Sequence, residues 1–553
     1  MVVLADPACR DAVRRWLRDF SGDRVTVLFV GRVPELRRGT EPAGKRPAFV
    51  EVADLDDVVA RLTRLNAQDV ILVVLGSGVL VPLAGNHGRL FEQLFLHLRP
   101  GGAYLVDRTA GQIGNRGRPD DRAPAQFHRM RAAAQGFGSG AKANRRARVA
   151  RFIQKLSVDD DLIVATKRGR HALKLREHQI RDLLPEREPG IDVSVMETRP
   201  SGLLNLQVEP AWYGPSRAAP WREALEYPEM TLRHYEGNIV SAGGMRLYTG
   251  NTLLPDSFRW PQARVANHPR VESVTPLFGR FRRRPPARVL DGDYYFLDCV
   301  FSGHFGHLTT EVLSRLWGWE RAKREIPELK AVFHTNPARG RDGSLERRLF
   351  SAYGIEESDL VWSARPVRLR SVVGASPMWH NEKPYYAHPD IRETWDRMTA
   401  GLLAGGDPAA HERIFVSRGA SLSHRRGCRN QQEVERFFAD RGFHVCYPEE
   451  LPLPEQAALF AGARVVAGFA GSAMFNMMHA QRLESVVVIS HNAYVARNEH
   501  LFATVLGAQL HHFWQPADVE PPKGKRSPAS DRSSFEFDFA TYGDDLERVL
   551  NEL

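Results

Sequence analysis

Three short segments concentrate residues able to move protons or hold anions. The first is Gly303-His304-Phe305-Gly306-His307-Leu308-Thr309-Thr310-Glu311, where a strand-like run enters a glycine-containing turn and then a helix. His307 and Glu311 lie four residues apart and so share one helical face. An imidazole there can take up a proton or donate to an oxyanion, while the carboxylate orients its ring. His304, His307 and Glu311 can also be read as metal ligands with no fourth ligand in view. Alone, the segment reads equally as a helix-entry histidine satisfied by a local carbonyl. The second segment holds Ser417-Arg418, then Arg425-Arg426, Asn430 and Glu433. Arg418 ends an apolar run at the carboxyl end of an expected strand, where open α/β sheets bind ligands. A guanidinium offers phosphate a planar fork of donors that is always charged. Asn430 and Glu433 are spaced as a capping box for a helix over 431–440. The third segment is Gly468-Phe469-Ala470-Gly471-Ser472, a turn between a buried strand and a helix that contains Asn476. Such a turn presents backbone N–H groups, reinforced by the helix dipole, to an anion such as a diphosphate. Asp291-Gly292-Asp293 has the D-x-D pattern that elsewhere binds manganese and diphosphate, but its glycine ahead of the strand 294–297 predicts a turn.

These segments need a scaffold, and the chain is long enough for two to four domains at 553 residues. With 43% hydrophobic and 26% charged residues it is excluded from the disordered, collagen-like and coiled-coil classes. Val25–Val30 and Asp69–Leu75 are continuous apolar runs suited to a parallel sheet buried on both faces. Leu90, Leu94, Phe95 and Leu98 follow at helical spacing, stopped by Pro100-Gly101-Gly102 before a strand over 103–107. This succession resembles the second half of a class I methyltransferase fold. The loop after the first strand, Gly31-Arg32-Val33-Pro34, puts Arg and Pro where close backbone approach needs glycines. The resemblance therefore implies an inactive methyltransferase-like domain. From residue 200 onward, strand-like runs at 294–297, 413–417 and 485–489 alternate with helical periodicity at 431–440, 454–462 and 497–507, a doubly wound α/β pattern. Residues 517–534 read as a loose linker before a helix over Asp544–Leu550.

The net charge of +10 is concentrated. Residues 116–181 hold seventeen Lys or Arg against six Asp or Glu, a local +11. That stretch is either a solvated basic connector or a patch for an anionic partner. Its scarcity of aromatics argues against stacking on single-stranded nucleic acid, so no specific nucleic-acid partner is expected. Asp159-Asp160-Asp161 within it reads as a solvated loop. Cys9, Cys299, Cys428 and Cys446 form no C-x-x-C pair, which disfavours a disulfide framework or structural zinc and suits a reducing cytoplasm. Met1-Val2-Val3-Leu4-Ala5-Asp6 reaches an acid before any secretory apolar region forms. The longest apolar stretch, Val70–Ala84, is broken by Gly76, Gly78 and Pro82 and is too short to span a bilayer. The expectation is a cytoplasmic protein, compatible with peripheral membrane contact.

Taken in order, the segments resemble glycosyltransferase family 61 over about residues 285–512. Gly303, His307 and Glu311, spaced G-x-x-x-H-x-x-x-E, resemble an early G…H-x-x-x-E element. Ser417, Arg418, Arg425, Arg426, Asn430 and Glu433 match an S-R and R-R-x-x-x-N-x-x-E-like element. Gly442, Phe443, Val445, Pro448, Glu449, Leu451, Glu455 and Gln456 match a third, and Gly468 through Asn476 match a final G-x-H-G-A-x-x-x-N element. The resemblance implies a GT-B-like pair of Rossmann-like domains preceded by an extra N-terminal one. The boundaries would be 1–115 for the methyltransferase-like domain, 116–200 for the basic connector, 201–405 for an acceptor-side lobe and 406–553 for a donor-side lobe. It implies inverting, metal-independent transfer from a nucleotide sugar to a glycan or polysaccharide acceptor, without a cofactor. His307 or Glu311 would be the base, and Arg418, Arg425, Arg426, Asn430, Glu455, Gln456, Gly468, Gly471, Ser472 and Asn476 would hold the donor. One departure stands out: the family histidine is Ala470 here, and the following alanine is Ser472. A catalytically degenerate nucleotide-sugar-binding or scaffold protein is the alternative that this departure keeps open.

Overall fold

The computed structural model describes residues 25–30, 48–52, 55–66, 68–75, 87–107, 128, 132, 145–158, 162–215, 224–263, 268–280, 287–335, 342–419, 426–522 and 527–553. The chain divides into two compact units, one of Met1–Val193, Glu236–Val240 and Arg246–Pro286, the other of Ser194–Tyr235, Ser241–Met245 and Ala287–Leu553.

The first unit carries a six-stranded sheet built from β1 (Val25–Val30), β2 (Ala48–Val52), β3 (Gln68–Leu75), β4 (Leu98–Asp107), β5 (Ile153–Val158) and β6 (Leu162–Lys167), in the order β2-β1-β3-β4-β6-β5. β1 pairs in parallel with β2 and β3, and β3 with β4, as their apolar runs predict. β6 runs antiparallel to both β4 and β5. The expected helix near residue 90 ends earlier than its periodicity indicates, at Leu94, with a 3₁₀ turn Phe95–His97 behind it. Phe95, Leu96 and Leu98 are all buried, which a continuing one-faced helix could not achieve. Pro100-Gly101-Gly102 is consequently not a stop but the irregular start of β4, where the register against β3 shifts between Gln68 and Val70. The expected basic connector, 116–200, supplies from Arg145 onward the helix Arg145–Ala150, β5 and β6, because Ile153, Ile163, Val164 and Ala165 fill the sheet's core. The glycine-poor loop at residues 31–34 and the acidic triplet Asp159–Asp161 lie outside the described residues.

The second unit is mixed α/β with two parallel arrays of strands, the first a run of four within a larger mixed sheet and the second a six-stranded sheet. In one, Val367–Ala375, Arg288–Phe296, Lys330–His334 and Leu360–Ser363 lie side by side in that order, all parallel. In the other the order is Ala211–Tyr213, Gln509–Gln515, Ser485–His491, Val465–Phe469, Arg413–Val416 and His444–Cys446, again all parallel. Parallel strands need crossovers, and the helices Gln431–Ala439, Leu453–Ala461 and Asn498–Leu506 fall where the helical spacing predicts them. The C-terminal helix is longer than expected, Phe539–Glu552, and starts on Asp538, whose side chain accepts the Thr541 amide at 3.1 Å.

Two expectations are corrected here. Residues 517–534 are not simply a loose linker: Ser527 caps a short helix Pro528–Asp531, and the chain beyond is pinned to residues 426–430. The Arg426 amide donates to the Arg532 carbonyl at 3.2 Å, and the Phe535 amide to the Gly427 carbonyl at 3.1 Å. Phe535 and Phe537 are buried with Phe415, Phe438 and Phe513, which explains the anchoring. Asn430 does not complete a capping box either. Its amide donates to Glu433 and to the Phe537 carbonyl, both at 2.9 Å, and its Oδ1 accepts the Phe537 amide at 2.9 Å. The side chain serves this long-range clamp, not the helix terminus.

Candidate active site

Strand order fixes where the crevice of each sheet lies. In the second sheet the chain winds outward from Arg413–Val416 to His444–Cys446, then returns on the other side with Val465–Phe469. Winding reverses between Arg413–Val416 and Val465–Phe469, so a crevice opens at the carboxyl ends of those two strands. Arg418 follows one strand and Gly471 the other. A Cβ on Gly471 would lie 3.0 Å from Arg418 Nη2 and 3.4 Å from Arg426 Nη2, so a larger residue would have to push the guanidinium groups away. Arg418 Nη2 donates to the Ala470 carbonyl, and its Nη1 to the Arg426 carbonyl at 3.2 Å. The Arg426 guanidinium lies over the Tyr494 ring, 4.3 Å from its centre. Glu499, in the first turn of Asn498–Leu506, accepts the Gly471 N–H at 2.7 Å.

The electrostatics around this turn are positive. Burial, then the neighbouring Arg426, pull Arg418 down to about 10, which leaves it charged at neutral pH. Burial pushes the Glu499 carboxyl up to about 7, so it offsets the guanidinium charge only partly there. Burial, then Arg426 and Arg418, pull His491 down to about 4 and keep it neutral. Both of its ring nitrogens lack a partner among the described residues.

The Glu499 shift has a consequence for stability. An unfolded carboxyl ionises near 4.5 and the folded one near 7, so ionisation opposes folding. Stability is greatest below the unfolded value and falls as pH rises toward and through 7, by about 3 kcal/mol in total. Glu499→Gln keeps an acceptor for the Gly471 amide and removes the ionisation. Urea unfolding at pH 5.5 and pH 8.5 should show the variant nearer wild type at the lower pH and more stable at the higher. Parallel pH dependence of the two proteins would contradict the assignment.

In the first sheet, winding reverses between Arg288–Phe296 and Val367–Ala375, and the chain leaving Phe296 carries the histidine segment. The Gly303 amide donates to the buried Glu346, fixing the turn. One α-turn, Phe305–His307, passes into a π-helical turn, Leu308–Val312, and then a 3₁₀ segment, Leu313–Gly318. Widened turns of this kind are frequent at functional sites. His307 Nδ1 is hydrogen-bonded to Glu311 Oε1, as their spacing predicts. An ionised Glu311 accepts from Nδ1–H, which leaves the lone pair on Nε2. The His307 side chain keeps 27% of its surface exposed against 8% for Glu311, so the imidazole is the group that reaches solvent. Its ring stacks on Phe301 at 4.3 Å and meets the His304 ring edge-on at 4.8 Å. Glu311 Oε2 lies 3.9 Å from the Cys299 thiol.

The two crevices come together. A Cβ on Gly306 would sit 2.9 Å from Ser472 Cβ and 3.1 Å from the Phe475 ring, so the turn bearing His307 abuts the turn bearing Gly471. His307, Glu311, Arg418, Arg426, Gly471 and Ser472 thus belong to one neighbourhood. A cavity of about 780 Å³ opens beside Arg418, lined also by Gln431, Glu435, Tyr447 and Glu450.

Other expected site residues are occupied elsewhere. Asn476 is buried and donates to Gln456 Oε1 at 2.9 Å, tying the helix Leu453–Ala461 to the 3₁₀ helix Ser472–His479. Glu455 is exposed in the first turn of that same helix. Gly468 lies inside its strand, where a Cβ would strike the Val416 carbonyl at 2.5 Å. Arg425 lies outside the described residues. Asp291 and Asp293 are not in a turn ahead of a strand; they flank a bulge within Arg288–Phe296, where the pairing register shifts. Among the described residues, no group of three or more His, Cys, Asp or Glu is placed to hold a metal ion, and no helix is long and apolar enough to cross a membrane. Sequence reading missed Tyr494, Glu499 and His491. The polar run Arg497-Asn498-Glu499-His500 ahead of Leu501-Phe502 was the available signal, since a buried helix seldom opens on four polar residues.

No curated protein matches the chain significantly. Among solved structures, the methyltransferase MycE from the mycinamycin biosynthetic pathway, with Mg and SAH, is 19% identical at a TM-score of 0.22, covering 29% of this chain and 48% of that one. The same enzyme with Mg, SAH and mycinamycin VI is 17% identical at 0.21, covering 29% and 47%. The chain thus spans about half the length of these structures, a likeness too slight to bear on chemistry. The candidate site has a firmer counterpart: residues 305–488, which carry the His307–Glu311 pair, Arg418 and the Gly471 turn, match the model of the Glycosyltransferase 61 family.

Proposed function

We propose that the chain from residue 201 onward transfers a sugar from a nucleotide-sugar donor to a glycan or polysaccharide acceptor, with inversion and without a metal. In this reading residues 201–405 and 406–553 act as acceptor-side and donor-side lobes of a GT-B-type enzyme. The observation that carries it is the approach of two guanidinium groups, Arg418 and Arg426, to the Gly471 turn beside the His307–Glu311 pair.

A sugar–diphosphate bond develops negative charge on the leaving group as it breaks. Arg418, Arg426 and the amides at Ser472 would stabilise that charge in place, and preorganised donors of this kind are worth several kcal/mol in the transition state. The nucleoside would occupy the cavity lined by Gln431, Glu435 and Tyr447, whose size suits such a group. His307 Nε2 would take the acceptor hydroxyl proton, and Glu311 would stabilise the imidazolium that forms. Ala470 supports a second reading, in which the protein binds the donor without turning it over.

Calorimetric titration with nucleoside mono- and diphosphates and nucleotide sugars, with divalent ions chelated, tests the donor assignment. Diphosphates should bind at least tenfold more tightly than monophosphates. Equal affinity for the two would contradict a diphosphate site at Gly471.

A further inference from the structure

The basic stretch of the first unit has a feature that sugar transfer does not use. Where β6 ends, a cavity of about 510 Å³ is lined by Leu98, Arg99, Pro100, Lys167, Arg170, His171 and Asn251. Four of these seven are basic or imidazole side chains, and none is acidic. Lys167 is 1% exposed and donates to the carbonyls of Leu98 at 2.5 Å and Gly169 at 3.0 Å. An ammonium has three protons, so one lacks a partner among the described residues. His171 is 5% exposed and meets Phe152 edge-on at 4.3 Å. The Gly169 carbonyl lies near its ring without hydrogen-bond geometry, and both ring nitrogens are unpartnered among the described residues.

The surrounding charge is not cancelled inside this cavity. Glu272 pairs with Arg151 and Arg280, and Glu188 accepts the Asn251 amide at 2.9 Å and the Thr252 hydroxyl at 2.7 Å. Neither carboxylate lines the cavity. Burial pulls Lys167 down to about 7, the direction taken by an ammonium without a counter-ion. Buried polar groups normally find partners, so a buried ammonium proton and a bare imidazole at one cavity wall indicate an absent acceptor. The site stands at the amino end of β4. The carboxyl ends of β1 and β3, where the methyltransferase-like reading would place a cofactor, are the opposite ends of these parallel strands.

We propose that this cavity binds a phosphate monoester, with Lys167 and His171 donating to its oxygens from the wall and Arg99 and Arg170 closing on it from the rim. Phosphate fits because it offers several acceptor oxygens and two negative charges to a lining that is rich in N–H donors and holds no carboxylate. The volume admits a small organic phosphate as well as the headgroup of a phospholipid.

The test uses the full chain at pH 7.5 and low ionic strength, with calorimetric titration of inorganic phosphate and of glycerol 3-phosphate. Vesicles of phosphatidylcholine with and without phosphatidic acid are co-sedimented in parallel. Arg99→Ala/Arg170→Ala removes two exposed side chains and should leave the melting temperature unchanged; Lys167→Met probes the wall. Phosphate can also reach Arg418, so the reading is the binding event lost in the double variant and retained in Arg418→Ala. A soluble phosphate ester bound at least tenfold more weakly by the double variant supports the site with a free ligand. Phosphatidic-acid-dependent sedimentation that falls in the double variant, without free-phosphate binding, supports it with a lipid headgroup. Identical titrations and sedimentation for wild type and the double variant overturn the proposal, as does an absence of binding in every arm.

Discussion

Replacing Arg418 with alanine should lower sugar transfer, measured as kcat/KM for the donor, by about 10²–10³-fold, the cost of removing a preorganised donor from a developing anion. Four features of the site point to so large a loss. The guanidinium stands at the reversal of strand winding, next to the Gly471 turn, and Arg426 lies beside it. Arg418 also hydrogen-bonds the carbonyls of Ala470 and Arg426, so its removal frees the two segments that shape the crevice. Arg418→Lys separates charge from geometry. It keeps the positive charge but cannot make both contacts in the plane of a fork, and an intermediate loss is expected. Circular dichroism and unfolding curves establish that each variant is folded. A folded alanine variant with wild-type turnover would remove Arg418 from the donor site.

The second large effect is expected at His307. His307 is the more exposed member of the His307–Glu311 pair, and Glu311 is held in place by burial. His307→Ala should lower kcat by roughly 10²–10⁴-fold with little change in donor KM, because a base acts on the acceptor proton and not on the diphosphate. Glu311→Gln keeps the shape but weakens support for an imidazolium, and a smaller fall in kcat is expected. A rise in donor KM at constant kcat in His307→Ala would instead make the histidine a donor-binding group.

Much of this arrangement was legible in the sequence because parallel strands buried on both faces are written as continuous apolar runs. Val25–Val30 and Ser485–His491 are of that kind, and the helix Gln431–Ala439 declares itself by its spacing. The His307–Glu311 bond was legible too, since four residues along a helix dictate proximity. What escaped notice depends on contacts far apart in the chain. Phe535-Glu536-Phe537-Asp538-Phe539 alternates apolar and acidic residues with a period of two, yet it follows a Pro- and Ser-rich stretch that masks it. That strip holds Asn430 and the Gly427 carbonyl, and Arg532 just ahead of it accepts the Arg426 amide. Asn430 reads as a cap because its partner, Phe537, lies 107 residues away. His491 joins the site through the adjacency of the strands Val465–Phe469 and Ser485–His491, and Glu499 through its bond to the Gly471 amide, neither of which a local motif announces. The charge offers a similar lesson. The +10 of the whole chain resides largely in residues 116–181, and part of that excess lines one cavity instead of coating a solvated surface.

Release of nucleoside diphosphate from a panel of nucleotide sugars, with EDTA present and a mixed glycan acceptor, tests the central claim most directly when followed by determination of the product anomer. The account predicts release from at least one donor, an inverted glycosidic bond in the product, and loss of release in Arg418→Ala. Tight donor binding by the wild-type chain with no release would contradict it and would make the protein a binder in which Ala470 marks lost catalysis.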